Sequence, residues 1–268
     1  MSESLIDIGV VSDHPGVARW HAMAPCGSVA GVAGVRPVVP FRHDVLSAPH
    51  PPVEAGTAEL GLYVAPRWRR RGIGSRLLHA VRSQTTARRL VADVTAASPG
   101  EEFSLRHGFR YARPRRHDRL AYHDVHQAWL GELIDAEHPG YRLTHWTGAM
   151  LDAPELEDLL PSPSRLGDAV LIAADAGGDL AAYVVAVVGA LWPPRARQYG
   201  PAVLPRHRGR QLDRWVNAAL IQRLFERHPQ IELIETATAE DDTDLLAVRK
   251  DLGFHPLRQT HAYELTLR

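Results

Sequence analysis

The chain has 268 residues and a mass of 29.6 kDa, a length that suits one large domain or two modest ones. Its 31 basic and 31 acidic residues balance to a formal charge of +0, which argues against a dedicated nucleic-acid binder, since that role needs a basic excess to displace counterions. With 45% hydrophobic and 23% charged residues the composition is globular, and the single cysteine, Cys26, excludes an internal disulfide and a cysteine-built zinc cluster.

The segment Met1-Ser2-Glu3-Ser4 has neither a basic n-region nor an apolar h-region, so no signal peptide is expected. The most apolar stretch, residues 180–192, is too short to span a bilayer, and a cytoplasmic location is expected. Residues 6–11 predict a first strand. Residues 17–23, a turn at Pro25-Cys26-Gly27 and residues 28–35 predict a hairpin, followed by a Pro/His-rich loop over 39–56. A strand at 59–64 enters an arginine-rich turn, and Ile73, Leu77 and Val81 then form the i, i+4, i+8 stripe of an amphipathic helix. A strand at 90–94, a short helix at 101–107 and closing strand residues up to Ala121-Tyr122 complete the first half. A helix at 123–136 (Val125, Trp129, Leu130, Leu133) stops at His138-Pro139-Gly140. The second half has a helix at 153–160 and a hairpin of 169–174 and 180–188 around Gly177-Gly178. A strand at 198–203, an amphipathic helix, a strand at 231–236, a helix at 243–252 and terminal strand residues Ala262-Tyr263 follow.

These elements repeat. Val64-Ala65-Pro66-Arg67-Trp68-Arg69-Arg70-Arg71 lies over Val203-Leu204-Pro205-Arg206-His207-Arg208-Gly209-Arg210 at a gapless shift of 139, and Ile73, Leu77 and Val81 then fall on Leu212, Val216 and Leu220. Each half ends alike, with Arg106-His107-Gly108-Phe109 against Asp251-Leu252-Gly253-Phe254. The chain is therefore expected to hold two copies of one domain, over residues 1–130 and 138–268.

In the first copy the turn reads Arg69-Arg70-Arg71-Gly72-Ile73-Gly74-Ser75. Glycines opening a helix let backbone N–H groups approach a ligand, the helix N-terminus adds positive dipole, and arginines add charge-assisted hydrogen bonds. Together they suit a pyrophosphate. The dinucleotide fingerprint fails, because the residue three after Gly74 is Leu77, and no Gly-Lys-Ser/Thr of a P-loop is present.

This turn resembles the acetyl-coenzyme A loop, R/Q-x-x-G-x-G/A, of the GNAT acetyltransferase superfamily, and the helix ending in Gly108-Phe109 is similar to that superfamily's later element. The tandem arrangement is similar to the mycothiol-synthase-like branch. The resemblance implies an α/β (α+β) fold of two tandem GNAT-like domains, each a mixed, twisted sheet flanked by helices, with acyl-CoA held where two strands splay. It implies an acyl-CoA-dependent N-acyltransferase in which a small amine attacks acetyl-CoA directly, with no metal and no nucleic-acid or membrane partner. Leu62, Val64, Arg69, Arg70, Arg71, Gly72, Ile73, Gly74 and Ser75 would bind acetyl-CoA, and Glu59 would be the general base. The competing reading of Glu59 is a solvated edge carboxylate. The backbone N–H near Val64 would polarise the thioester carbonyl. The family's usual acid, a tyrosine four residues before the Gly-Phe glycine, is Ser104 here and Arg249 in the second copy; Tyr63 and Tyr111 are the substitutes to weigh. The alternative reading is a non-catalytic acyl-CoA-binding or scaffold protein of two degenerate domains.

In the second copy Gly72 becomes Gln211, Gly74 becomes Asp213 and Glu59 becomes Gln198, so this half is expected to have lost the cofactor. That inverts the order usual in the mycothiol-synthase-like branch. The contrary reading is that Arg206, Arg208 and Arg210 still hold a nucleotide without the glycines. The first half lacks the early helix that usually walls the acceptor pocket, so the second half, or a second subunit in a homodimer, is expected to supply that wall. The fifteen histidines show no H-x-x-x-H or H-E-x-x-H spacing, which speaks against a metal site. Arg113-Pro114-Arg115-Arg116 reads as a solvated loop or as a contact to the 3′-phosphate of CoA. The acidic run Glu240-Asp241-Asp242-Thr243-Asp244 reads as a helix start, and Cys26 as incidental.

Overall fold

The computed structural model describes residues 7–14, 17–37, 56–147, 169–189 and 195–267. The loop expected over 39–56 (all but its last residue) and the helix expected over 153–160 lie outside them. Among the described residues the chain divides into two compact units. Unit 1 holds residues 7–14, 17–37, 56–113 and 261–267, and unit 2 holds 114–147, 169–189 and 195–260.

The sheet of unit 1 is built from β1 (Asp7–His14), β2 (Val17–Met23), β3 (Val29–Pro37), β4 (Thr57–Val64), β5 (Arg89–Val94) and the end of β12 (His255–Thr266), in that order. β1 to β4 form an antiparallel meander, β5 runs parallel to β4, and His261–Thr266 of β12 pairs antiparallel with β5, placing Tyr263 beside Ala92. Helix α1 (Ile73–Gln84) connects β4 to β5, and α2 (Pro99–Arg106) follows β5. The expected apolar stripe of α1 is the one that is buried: Ile73, Leu77, Leu78 and Val81 pack on Ala33, Val35, Ala58, Leu60, Leu90 and Ala92. Gly31 is required by this packing, since a Cβ there would lie 3.0 Å from both Leu77 Cδ1 and the Tyr63 carbonyl.

Unit 2 repeats the plan with β6 (Arg110–Ala121), β7 (Arg142–Thr147), β8 (Ala169–Asp175), β9 (Leu180–Gly189), β10 (Arg195–Val203) and β11 (Leu233–Ala239), in the order β6-β11-β10-β9-β8-β7. Helix α3 (Gln127–Asp135), capped by the His126 side chain, begins later than the sequence suggests because residues 122–124 form a separate 3-10 turn. Helix α4 (Leu212–Arg227) connects β10 to β11 and α5 (Thr243–Asp251) follows, its N-terminus capped by Asp242 within the acidic run. Leu212, Val216, Leu220 and Leu224 anchor the core of this unit.

The two halves of the sequence exchange their last strands. β6 begins in unit 1, but its residues 115–121 pair with β11, and β12 leaves unit 2 so that residues 261–266 pair with β5.

Candidate active site

In unit 1 the parallel ladder between β4 and β5 is short, running only over Thr57↔Arg89, Ala58↔Leu90 and Glu59↔Val91. β4 continues to Val64 against β3 in unbroken register, so beyond Glu59 it runs without β5 and the strands part. The Ala65 N–H donates to the Ala30 carbonyl at 3.0 Å, on the β3 side. With a strand's period of two, Leu62 and Val64 direct their N–H and C=O groups the other way, to where β5 has departed. The side chains alternate likewise. Ala58, Leu60, Leu62 and Val64 pack beneath α1, which puts Glu59, Gly61 and Tyr63 on the opposite face, Glu59 half-buried and Tyr63 57% exposed.

After Val64 the chain makes a 3-10 turn at Pro66–Trp68, then passes through left-handed backbone at Arg70 (φ 63°) and Gly72 (φ 73°) into α1. Gly72, the N-cap, brings no side chain to the first N–H groups of α1, and a Cβ on it would meet no atom within 4 Å. The first N–H groups of α1 thus lack a side-chain cap, and with the helix dipole they suit an anion. Gly74 serves another purpose. A Cβ there would lie 3.1 Å from Phe103 Cε2 and 3.7 Å from Leu62 Cδ2, so α1, α2 and β4 meet at this residue. Ser75 Oγ lies 3.0 Å from His107 Nε2 at the end of α2, tying the two helices; burial, Arg106 and Arg82 hold the His107 pKa below its usual value.

The arginines around this helix start are exposed and ordered by aromatic rings. Arg69 Nε donates to the Val64 carbonyl at 3.0 Å, with its guanidinium 5.9 Å from the Tyr63 ring centre. The guanidiniums of Arg67 and Arg71 lie 5.9 and 5.2 Å from the Trp68 ring. Arg70 is exposed beside them. The structure thus gathers Leu62, Val64, Arg69, Arg70, Arg71, Gly72, Ile73, Gly74 and Ser75 around one helix start, with Ile73 buried as a core residue.

Sequence reasoning missed a cluster at the N-terminus of α2. Glu101 Oε1 accepts from the Tyr263 hydroxyl at 2.6 Å and lies 3.0 Å from His261 Nδ1, while Oε2 accepts the Ala97 N–H at 2.7 Å. The bonds from Tyr263, His261 and Ala97, in that order, hold the Glu101 carboxyl below the usual carboxylate range, and Glu101 pushes the Tyr263 phenol up to about 12. Tyr111 packs edge-on against both the His261 and the Tyr263 rings. The cluster escaped notice because Glu101 and Tyr263 are 162 positions apart. Ser104, one helical turn beyond Glu101, is 4% exposed, and its carbonyl accepts the Phe109 N–H at 3.0 Å.

Unit 2 keeps the backbone of this site and closes it. Its turn passes through left-handed backbone at Gly209 (φ 74°) and Gln211 (φ 57°), so glycine and side chain have traded places relative to Arg70 and Gly72. The loop geometry thus survives without the second glycine. His207 is held by the Tyr141 hydroxyl at 3.0 Å, Arg210 lies over the Tyr141 ring and Arg206 pairs with Asp179 at 3.2 Å, so Arg206 and Arg210 are engaged within the unit.

β10 carries a bulge between Tyr199 and Ala202 that β4 lacks, and this changes the residue correspondence. Ala196 and Gln198 face the helices, so the residue matched to Glu59 on the opposite face is Arg197, not the Gln198 that the gapless shift supplies. β10 and β11 part after Gln198↔Thr236, and in that gap Arg249 of α5, 1% exposed, donates to the Gly200 carbonyl at 3.1 Å. Ser104 and Arg249 are equivalent: both carbonyls accept the N–H of the following Gly-Phe phenylalanine. Burial lowers the Arg249 pKa to about 9 while Asp118 and Asp242 raise it, so the guanidinium is charged at neutral pH.

Comparison with known proteins agrees with this geometry. Residues 23–111 match the family model of the acetyltransferase (GNAT) domain. A solved tandem GNAT protein from the clavulanic acid biosynthesis pathway superposes with a TM-score of 0.65 at 23% identity, covering 95% of this chain and 85% of that one. A GCN5-related N-acetyltransferase from Sphaerobacter thermophilus gives 0.54 at 14% identity over 93% and 81%. A glucosamine N-acetyltransferase region of a fungal multi-domain β-N-acetylglucosaminidase gives 0.57 at 14% identity, over 99% of this chain and 38% of that one. No curated protein sequence matches significantly. Residues 23–111 are therefore similar to a GNAT acetyltransferase domain, and the chain as a whole has the fold of the tandem GNAT protein. Among the described residues no helix is long and apolar enough to cross a membrane, and no three His, Cys, Asp or Glu side chains form a metal-binding group.

Proposed function

We propose that the chain is an acyl-CoA-dependent N-acyltransferase that binds one acetyl-CoA, in unit 1, and transfers its acetyl group to the amine of a small molecule. One contrast carries this reading: past Glu59, β4 presents backbone with no strand beside it and leads into an exposed arginine turn, whereas Arg249 occupies the matching gap of unit 2. The pyrophosphate would lie on the N–H groups of α1 between Arg69 and Arg71, and the Leu62 and Val64 backbone would bind the pantetheine arm and the thioester carbonyl. Glu59 would take the proton of the attacking ammonium group. The amine nitrogen then bonds to the carbonyl carbon, the C–S bond breaks, the thiolate leaves, and the new amide nitrogen releases its extra proton to solvent. A thiol pKa of about 8.5 makes that thiolate a good leaving group, protonated by solvent, so no residue need replace Ser104. Small-molecule acceptors are supported by two structural neighbours, one from the clavulanic acid biosynthesis pathway and one a glucosamine N-acetyltransferase region.

Calorimetric titration with acetyl-CoA tests the reading. One site per chain is expected. Two sites would show that Arg249 does not close the second cleft, and no binding at millimolar acetyl-CoA would leave a scaffold protein.

A further inference from the structure

Helix α2 has eight residues, too few to hold its conformation alone, so its position depends on what clamps it. At its C-terminal end it is fixed by Ser75–His107 and by Phe103 beneath Gly74. At its N-terminal end the clamp is Glu101, whose carboxylate joins three groups. It takes the N–H of Ala97, whose left-handed backbone (φ 54°) is unfavourable for a residue with a Cβ, together with Tyr263 and His261 of the chain's last strand. Phe103 and Leu62 converge on Gly74, so a displacement of α2 is a displacement of the wall beside the open edge of β4.

Among its described residues unit 2 has no such clamp. There Asp118 on the exchanged strand β6 is held by Arg116 Nε of the same strand at 2.7 Å, and Arg249 of α5 donates to the Gly200 carbonyl. Across the ladders Asp118 stands beside Thr236 as Tyr263 stands beside Ala92, and Arg116 beside Thr238 as His261 beside Val94. Among the described residues, only in unit 1 do side chains of the exchanged strand bond to the last helix.

We propose that Tyr263 and His261 are positioning residues for the acetyl-CoA cleft: acting through Glu101, they hold α2 over the gap between β4 and β5, so the sequence of the second half completes the site of the first. This rests on unit 1 being the acetyl-CoA-binding half.

The test uses the full chain and its Glu101→Ala, Glu101→Gln and Tyr263→Phe variants, with two readouts: hydrogen exchange of the α2 amides without ligand, and calorimetric titration with acetyl-CoA. Glu101→Ala is expected to deprotect α2 and weaken acetyl-CoA binding on the order of tenfold, the worth of hydrogen bonds to a charged group. Glu101→Gln keeps a single acceptor oxygen, enough for either Tyr263 or Ala97, and should recover part of both, whereas a role in bulk stability alone predicts no such recovery of affinity. Tyr263→Phe keeps the buried ring and should give an intermediate loss. Affinity within twofold of the parent in Glu101→Ala, or unchanged α2 protection, overturns the proposal. If the parent chain itself binds no acetyl-CoA, the proposed function fails and the positioning role falls with it, and the exchange data then report the clamp alone.

Discussion

At the scale of single residues, Glu59 and Asp118 are two carboxylates with different tasks. Glu59 lies half-buried where β5 departs, on the face away from α1. Glu59→Gln is expected to lower acetyl transfer to a verified amine by about 10²–10⁴-fold, the usual worth of a general base, and to leave the acetyl-CoA Kd unchanged. A steady-state assay beside a titration checks both, and full activity in the variant would remove Glu59 from the reaction. Asp118, fully buried, supports the Arg249 charge. Asp118→Asn weakens the bond to Arg116 and removes a charge that favours the Arg249 guanidinium, so unfolding in urea should show a loss of about 1–3 kcal/mol. The turn at Gly72 was legible in the sequence because glycines before a helix have few purposes, whereas the close approach of Phe103 to Gly74 is a contact that no local pattern encodes.

At the scale of elements, the two arginine turns share one backbone path and differ in which position holds the glycine. Gly72→Ala should cost about 1 kcal/mol for a Cβ in left-handed backbone, while Gln211→Gly in unit 2 should gain roughly half of that, the rest being lost to unfolded-state entropy. Thermal melts of the two variants give the comparison. The α2 clamp has a pH window. The Glu101 carboxyl is lowered in the folded state, so its contribution is present above the ordinary carboxylate range and is lost as pH falls through it. The Tyr263 phenol is raised to about 12, so its contribution is complete below about pH 10 and is lost as pH rises toward 12. Melting midpoints plotted against pH should lose the alkaline limb in Tyr263→Phe. Period and turn chemistry made nearly every described strand and helix readable. They did not show the bulge in β10, because one extra residue leaves composition unchanged while turning Gln198 to the helix side and Arg197 into the place matched with Glu59.

At the scale of the whole molecule, the repeat showed that there are two copies but not which strand closes which sheet. Both last strands follow a Gly-Phe and carry similar apolar residues, so a linear reading assigns each to its own half, and only the ladders reveal the exchange. Because a ligand that binds only the folded chain stabilises it by mass action, acetyl-CoA at a hundredfold its Kd should add about 2.7 kcal/mol to the unfolding free energy of unit 1. Calorimetric scans with and without acetyl-CoA measure this, and an unshifted trace would contradict binding there.

The exchange also sets a timetable for biosynthesis. When β5 leaves the ribosome, the strand that will lie beside it is still untranslated, and it follows roughly 170 residues later, some 10–30 s at ordinary elongation rates. Throughout that interval one flank of β5 is an unfilled edge, with Glu101 waiting for Tyr263 and His261. The nascent first half thus carries an unpaired strand edge, a ready template for mispairing, and a ribosome stalled late in the message would release a chain whose first sheet lacks its last strand.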